Sequence, residues 1–189
     1  PGAEAGRILD VLEKYNARAT FFMVGPMVNR YPETVKRISD LNCELGNHST
    51  NHPKLTKLDA AGIKKEIQTT TDAIVKATGG KGPTVMRPPF GAVNETVKQT
   101  VGFPIIMWSV DTLDWKTRNT QKTIDNVLAN AKDGSVVLMH DIHKPSVDAA
   151  VQLIPKLIEK GYQLVTVSEL AEARGIDLQN GVKYSQFYK

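Results

Sequence analysis

The sequence predicts an α/β fold: a parallel sheet wrapped by helices and curled into a distorted (β/α) barrel. Three observations lead there. Short apolar runs of strand character alternate with helix-period stripes along the whole chain. The residues with chemical potential fall directly after the apolar runs, and in an α/β barrel those strand ends surround one mouth. No repeat, low-complexity stretch or charge block breaks the alternation. About six strands are legible, against ~8 strands and ~250 residues in a full barrel. The chain also opens on a helix where a βα repeat should open on a strand. The expectation is therefore a barrel of about seven or eight strands that lacks its first.

The elements follow in order. Ile8, Leu9, Val11, Leu12 and Tyr15 form an amphipathic helical stripe. Ala19 to Val24 reads as a buried strand ended by Gly25-Pro26. Pro32 to Leu41 has Pro at an early helical position, with Val35 and Ile38 turned inward. Cys43 to Gly46 is a short strand leading into Asn47-His48. Asp59 caps a long helix that runs to about Thr78 and stops at Gly79-Gly80. Thr84-Val85-Met86 is a strand, Asn94 to about Thr100 a brief helix, and Ile105 to Trp108 the next strand. Thr120 to Ala131 is helical, Ser135 to Met139 is a strand, and Val147 to Lys160 is a helix that accommodates Pro155. Gln163 to Val167 reads as the last strand, and Ser168 with Glu169 opens a final helix.

The 189 residues, 41 % hydrophobic and 23 % charged, suit one domain over residues 1–189 with a single core. No run approaches the ~18–20 apolar residues of a membrane span. The net charge of +4 favours anionic surfaces such as cell-wall polymers and is too dispersed for nucleic-acid binding. The lone Cys43 excludes an internal disulfide framework. The chain starts at Pro1 without an initiator Met or a signal peptide, so a processed or trimmed piece of a longer protein is expected.

Four clusters carry chemistry. His48-Ser49-Thr50-Asn51-His52 sets two imidazoles four residues apart, and Pro53 disfavours helix at His52, so a tight turn at a strand end is expected. Imidazoles so placed suit zinc or a similar transition metal, although unrelated surface histidines share this spacing by chance. Val136 to Met139 delivers His140 to the rim of the core, as a general acid or base, a third metal ligand, or a capping residue. His143 is expected in a solvated loop. Asp111-Thr112-Leu113-Asp114-Trp115 offers carboxylates to fix an imidazole and an aromatic wall for a sugar face or methyl group; an Asp-rich turn beside a core Trp is the alternative. Arg87-Pro88-Pro89-Phe90-Gly91 combines a rigid loop with a guanidinium suited to a buried carboxylate or a structural ion pair. The Phe90 N–H, held by this loop, could serve as an oxyanion donor.

Taken in order, His48-Ser49-Thr50-Asn51-His52, Arg87-Pro88-Pro89-Phe90-Gly91, Asp111-Thr112-Leu113-Asp114-Trp115 and Leu138-Met139-His140 resemble the second to fifth motifs of the polysaccharide deacetylases (carbohydrate esterase family 4, the NodB homology domain). Trp108 to Lys116 looks most like the peptidoglycan N-acetylglucosamine deacetylases among them. The resemblance implies a divalent metal, zinc first and cobalt or another ion next, held by one Asp and two His, with His48 and His52 as those His. It implies hydrolysis of N-acetyl groups on peptidoglycan by metal-activated water, at a bacterial cell surface or outside the cell. His140 would protonate the leaving amine with Asp114 tuning it, and Arg87 would orient the catalytic base. Phe90 N–H would hold the oxyanion within the loop shaped by Pro89 and Gly91, and Trp115 and Leu138 would wall the acetyl-methyl pocket. The family's first motif, a strand carrying two Asp as base and third ligand, is absent, and Pro1-Gly2 stands where it should end. A separate N-terminal fragment of the same protein is the expected source of that strand. Chitin-oligosaccharide deacetylation, acetylxylan O-deacetylation, a non-catalytic glycan-binding module and a purely structural domain are the competing readings.

Overall fold

The structure is a computed structural model that describes residues 1–189. Helix α1 (Ala5–Lys14) buries Ala5, Leu9 and Leu12 on the face its apolar spacing marks out. Strand β1 (Thr20–Met23) runs into α2 (Gly25–Arg30) and α3 (Pro32–Asp40). Strand β2 (Glu44–Asn47) is buried at every residue and precedes α4 (Ala60–Thr78). The α4 boundaries are where the sequence puts them: the Asp59 side chain accepts from Gly62 N, and Gly79 ends the helix at φ 72°. Then come β3 (Val85–Met86), α5 (Glu95–Thr100), β4 (Ile105–Ile106), β5 (Val110–Asp111), α6 (Asp114–Thr117) and α7 (Thr120–Asn130). Strand β6 (Val137–Leu138), α8 (Lys144–Glu159), α9 (Val167–Ala173) and β7 (Lys183–Tyr184) complete the chain.

Every strand pairing in the two sheets is parallel. The larger sheet has the order β1-β2-β3-β4-β7, with Thr20 opposite Glu44, Asn47 opposite Met86 and Met86 opposite Ile105. A smaller sheet pairs β5 with β6, Val110 opposite Val137 and Asp111 opposite Leu138. The two are stitched where Ser109 N donates to Val136 O and where Ser135 bridges Gln186. The result is a distorted barrel open along one seam, with β1 an unpaired edge. Because the strands share one direction, their C-terminal ends gather at one rim.

Three local expectations are corrected. Gln163 to Val167 forms no strand: it meets β1 only where Arg18 N donates to Leu164 O and Val167 N donates to Thr20 Oγ1, so no ladder is built. Thr166 instead caps α9 through a reciprocal box with Glu169, and this turns the chain out of the sheet. Lys183–Tyr184 takes an edge position as β7. The Gly25-Pro26 stop is not a loop but the first turn of α2, where Pro needs no donor. Val110–Asp111, too short to show periodicity, is β5.

The main core lies between the sheet and helices α1, α3 and α4, and includes Leu9, Leu12, Met23, Val35, Ile38, Leu45 and Ile74. Each such side chain contributes about 1.5–3 kcal/mol on burial. At the N-terminal end of the strands Glu44 is buried, yet its oxygens accept from Thr20 Oγ1 (2.8 Å), Thr84 Oγ1 (2.7 Å), Ser168 N (3.2 Å) and Ser168 Oγ. Four donors satisfy a carboxylate with no cation beside it.

Candidate functional site

The C-terminal rim collects the residues that the sequence singles out. β2 delivers His48 one residue past its end, β3 delivers Arg87 one residue past its end, and β6 delivers His140 two residues on. Asp114 opens the short helix α6 that follows β5.

His48 to His52 forms a turn and not a helix. Ser49 (φ 65°) and His52 (φ 53°) both sit in the left-handed region, a strained choice for residues with a Cβ. The turn brings the two rings edge to face with centroids 4.8 Å apart. His48 Nδ1 lies 2.6 Å from the Arg87 carbonyl, which fixes the ring's tautomer and leaves Nε2 as its free nitrogen. Burial pushes the His48 pKa down to about 4, so the ring is neutral at pH 7 with its lone pair available. Burial also lowers the pKa of His52, which is solvent-exposed and packs its edge against Phe90 at 4.8 Å.

Arg87 is buried and has no carboxylate in reach. Its Nε donates to Ile106 O (3.0 Å) and its Nη2 to Met107 O (2.8 Å), while the guanidinium lies over the Phe22 ring at 4.1 Å and near Trp108 at 5.8 Å. Desolvation brings its pKa down to about 9, still charged at neutral pH. The expected structural ion pair is not found; carbonyl dipoles and aromatic faces hold this cation instead. In the loop beyond it, Pro89 is buried and Phe90 is 69 % exposed at φ 60°. A Cβ on Gly91 would come within 2.9 Å of both Met107 and Trp108, so only glycine lets the loop close onto them.

The Asp114 carboxylate is buried and binds His140 twice: Oδ2 accepts from the backbone N–H and Oδ1 meets ring Nδ1, each at 2.7 Å. Burial alone would raise the Asp114 pKa, but the bonds from His140 outweigh it and hold the carboxyl below its ordinary range. With Nδ1 committed, His140 keeps Nε2 for a reacting partner. His48 follows the end of β2 and His140 the end of β6, so the imidazole pair and the Asp114–His140 dyad both lie at the C-terminal rim. Trp115 is 48 % exposed, which disposes of a core Trp, and Leu138 is buried at the end of β6. His143, expected in solvent, is half-buried at the start of α8.

The donor set for a metal is two imidazoles. No third His, Cys, Asp or Glu of the chain joins them. Asp111, the other carboxylate in the motif, spends Oδ1 on Leu113 N in a turn. Sequence reasoning missed the support beneath the imidazole loop. Asn47 is fully buried and accepts from Ser49 N (2.8 Å) while donating to Ile67 O (2.9 Å). Glu66 accepts from the Thr50 and Asn51 backbone. The only signal was position, Asn47 closing β2 and Glu66 lying on the helix after the motif.

Residues 2–103 match the polysaccharide deacetylase family model. The chain is 44 % identical over 172 residues to peptidoglycan-N-acetylmuramic acid deacetylase PdaC of Bacillus subtilis, covering 91 % of this chain and 37 % of that protein. It is 45 % identical over 177 residues to peptidoglycan-N-acetylglucosamine deacetylase PgdA of Listeria monocytogenes, covering 94 % of this chain and again 37 % of that protein. The chain thus spans little more than a third of the length of these curated relatives. Among solved structures, one described as a T48 deacetylase with substrate superposes with a TM-score of 0.92 at 43 % identity, covering 98 % of this chain and 92 % of that one. Rim geometry, motif order and these likenesses agree: the chain belongs to the polysaccharide deacetylase family.

Proposed function

We propose that this domain removes N-acetyl groups from the amino sugars of peptidoglycan, outside the cell at the wall. The observation that carries the reading is the placement of the His48–His52 pair and the Asp114–His140 dyad at the C-terminal ends of parallel strands. His48 and His52 fit a divalent ion as two of its ligands, since one ring is neutral with Nε2 free and the other lies against it. Zinc suits imidazole best, with cobalt a workable substitute. When bound, the ion supplies Lewis acidity for hydrolysis at neutral pH.

The chain's own residues account for the rest. His140 Nε2 gives a proton to the departing amine, and Asp114 holds the ring in the tautomer that permits this. Phe90 N–H donates to the developing oxyanion. Trp115 and Leu138 wall the acetyl methyl, and Pro89 and Gly91 keep the loop close to Met107 and Trp108. Arg87 holds the carboxylate of the base. That carboxylate and a third ligand are not among the converging residues. A buried cation without an anion beside an unpaired β1 edge supports an Asp-bearing strand from a separate segment of the same protein as their source.

The two curated relatives are named for different sugars of the same polymer, so N-acetylglucosamine and N-acetylmuramic acid are both substrates to assay. The incomplete donor set favours one second reading, a glycan-binding module without turnover. Acetate release from peptidoglycan by the whole protein separates them. Turnover is expected, and His140→Ala should lower it about 100- to 10,000-fold while zinc binding persists. Glycan binding without acetate would leave the module reading, and wild-type turnover in His140→Ala would remove the acid assignment.

A further inference from the structure

The two imidazoles are held by different means. His48 follows directly from β2, and its ring is pinned by the Arg87 carbonyl at 2.6 Å. His52 lies beyond the left-handed Ser49, is itself left-handed and solvent-exposed, and meets His48 and Phe90 edge to face. The intervening chain rests on α4. The Thr50 hydroxyl donates to the Glu66 carbonyl (2.8 Å) and meets Thr70 Oγ1 (3.0 Å). The Glu66 carboxylate then takes the rest: Oε2 accepts from Thr50 N (2.9 Å) and Asn51 N (2.8 Å), and Oε1 accepts from Asn51 Nδ2 (2.7 Å). From the far side Gly25 N donates to Ser49 O, and a Cβ on Gly25 would sit 2.9 Å from Thr70 Oγ1, so α2 presses the turn onto α4.

A left-handed conformation persists in a residue with a Cβ only where its surroundings impose it. Hydrogen bonds to a charged acceptor are stronger than those between neutral groups. The Glu66 carboxylate accepts three of them from the turn that carries Ser49 and His52, and no other side chain grips Asn51. We propose that Glu66 is a positioning residue whose carboxylate sets where His52 stands relative to His48, by gripping the turn between them. The consequence for metal binding rests on the reading of the two His as ligands. The grip itself does not.

The test compares Glu66→Ala with Glu66→Gln, which keeps one oxygen for the two backbone N–H groups. In Glu66→Ala, amide exchange at Thr50 and Asn51 should rise about tenfold or more, and the His48–His52 ring contact should disappear from the nuclear Overhauser spectrum. Affinity for zinc alone should fall about 10- to 100-fold, as for other supporting residues of metal sites. His48 should keep its position against Arg87, and Glu66→Gln should restore most of each loss. Unchanged exchange and ring contact in Glu66→Ala would overturn the proposal. So would a Glu66→Gln as impaired as Glu66→Ala, which would mark general loss of stability. If Glu66→Ala does not fold, Glu66→Asp, one methylene too short to span Thr50 and Asn51, must show the same selective loss at His52. A wild-type protein that binds no zinc and releases no acetate, yet shows these exchange effects, would sink the deacetylase reading and leave the grip standing.

Discussion

Two buried ionic side chains, Glu44 at one end of the larger sheet and Arg87 at the other, are treated in opposite ways. Glu44, at the N-terminal end, is surrounded by hydroxyls and an amide that saturate its oxygens. Arg87, at the C-terminal end, makes two bonds to carbonyls, lies on Phe22, and meets no carboxylate. A guanidinium carries five N–H groups, so Arg87 keeps donor capacity in reserve while Glu44 spends its acceptors. A saturated buried charge staples structure. An unsaturated one leaves N–H groups without an acceptor, and its desolvation is a standing cost to the fold.

Arg87→Met is the sharpest way to break this contrast. If the guanidinium serves a substrate or base, acetate release should fall about 100-fold or more, about 2.7 kcal/mol of transition-state stabilisation. Stability to urea should move by no more than about 1 kcal/mol in either direction, because the lost cation–π contact is offset by relief of desolvation. A large loss of stability with unchanged turnover would make Arg87 a structural residue. Glu44→Ala should do the reverse. Removing the acceptor leaves Thr20, Thr84 and Ser168 without their partner, which should cost about 2–3 kcal/mol in urea denaturation while turnover per folded molecule is preserved.

The smallest effect concerns Asp114, the one buried carboxylate at the rim, and it sharpens the comparison through pH. Its folded-state pKa lies below the ordinary 3.8, so the unfolded chain binds its proton first as pH falls. The stability it contributes is whole above about pH 4 and drains as pH drops through the lowered value. Asp114→Asn should therefore cost about 1–2 kcal/mol at neutral pH, and the gap to wild type should close on acidification below 3.8. A gap that is independent of pH down to the acid transition would show that the charge of Asp114 is not what binds His140.

Much of this was legible in the residues. Asp59 and Gly79 mark the ends of α4 because capping is a local bargain between a side chain and the nearest free N–H, or between a backbone angle and a missing Cβ. The four rim motifs were visible because each is a short run of unusual residues after an apolar strand. Other features were out of reach. Gln163 to Val167 has strand composition, but a strand exists only where a neighbour completes its ladder, and Thr166 and Glu169 formed a cap instead. β5 (Val-Asp) and β7 (Lys-Tyr) lack the continuous apolar run that marks β3, β4 and β6. His143 reads as solvated and is half-covered by the packing of α8. Glu66 looks like any polar residue on an amphipathic helix, and its grip on Thr50 and Asn51 depends on the turn being laid against it.

By itself the sequence determined the alternation of helix and strand, the ends of the long helices, and the identity of the imidazoles, carboxylates and guanidinium at the rim, all written in local spacing and side-chain chemistry. Tertiary structure alone decided which apolar runs paired into sheet, that Arg87 would be buried without an anion, and that the His48–His52 pair and the Asp114–His140 dyad would form at the same rim. The reason is that pairing, burial and convergence belong to segments tens of residues apart, whose energies exist only once the fold has brought them together.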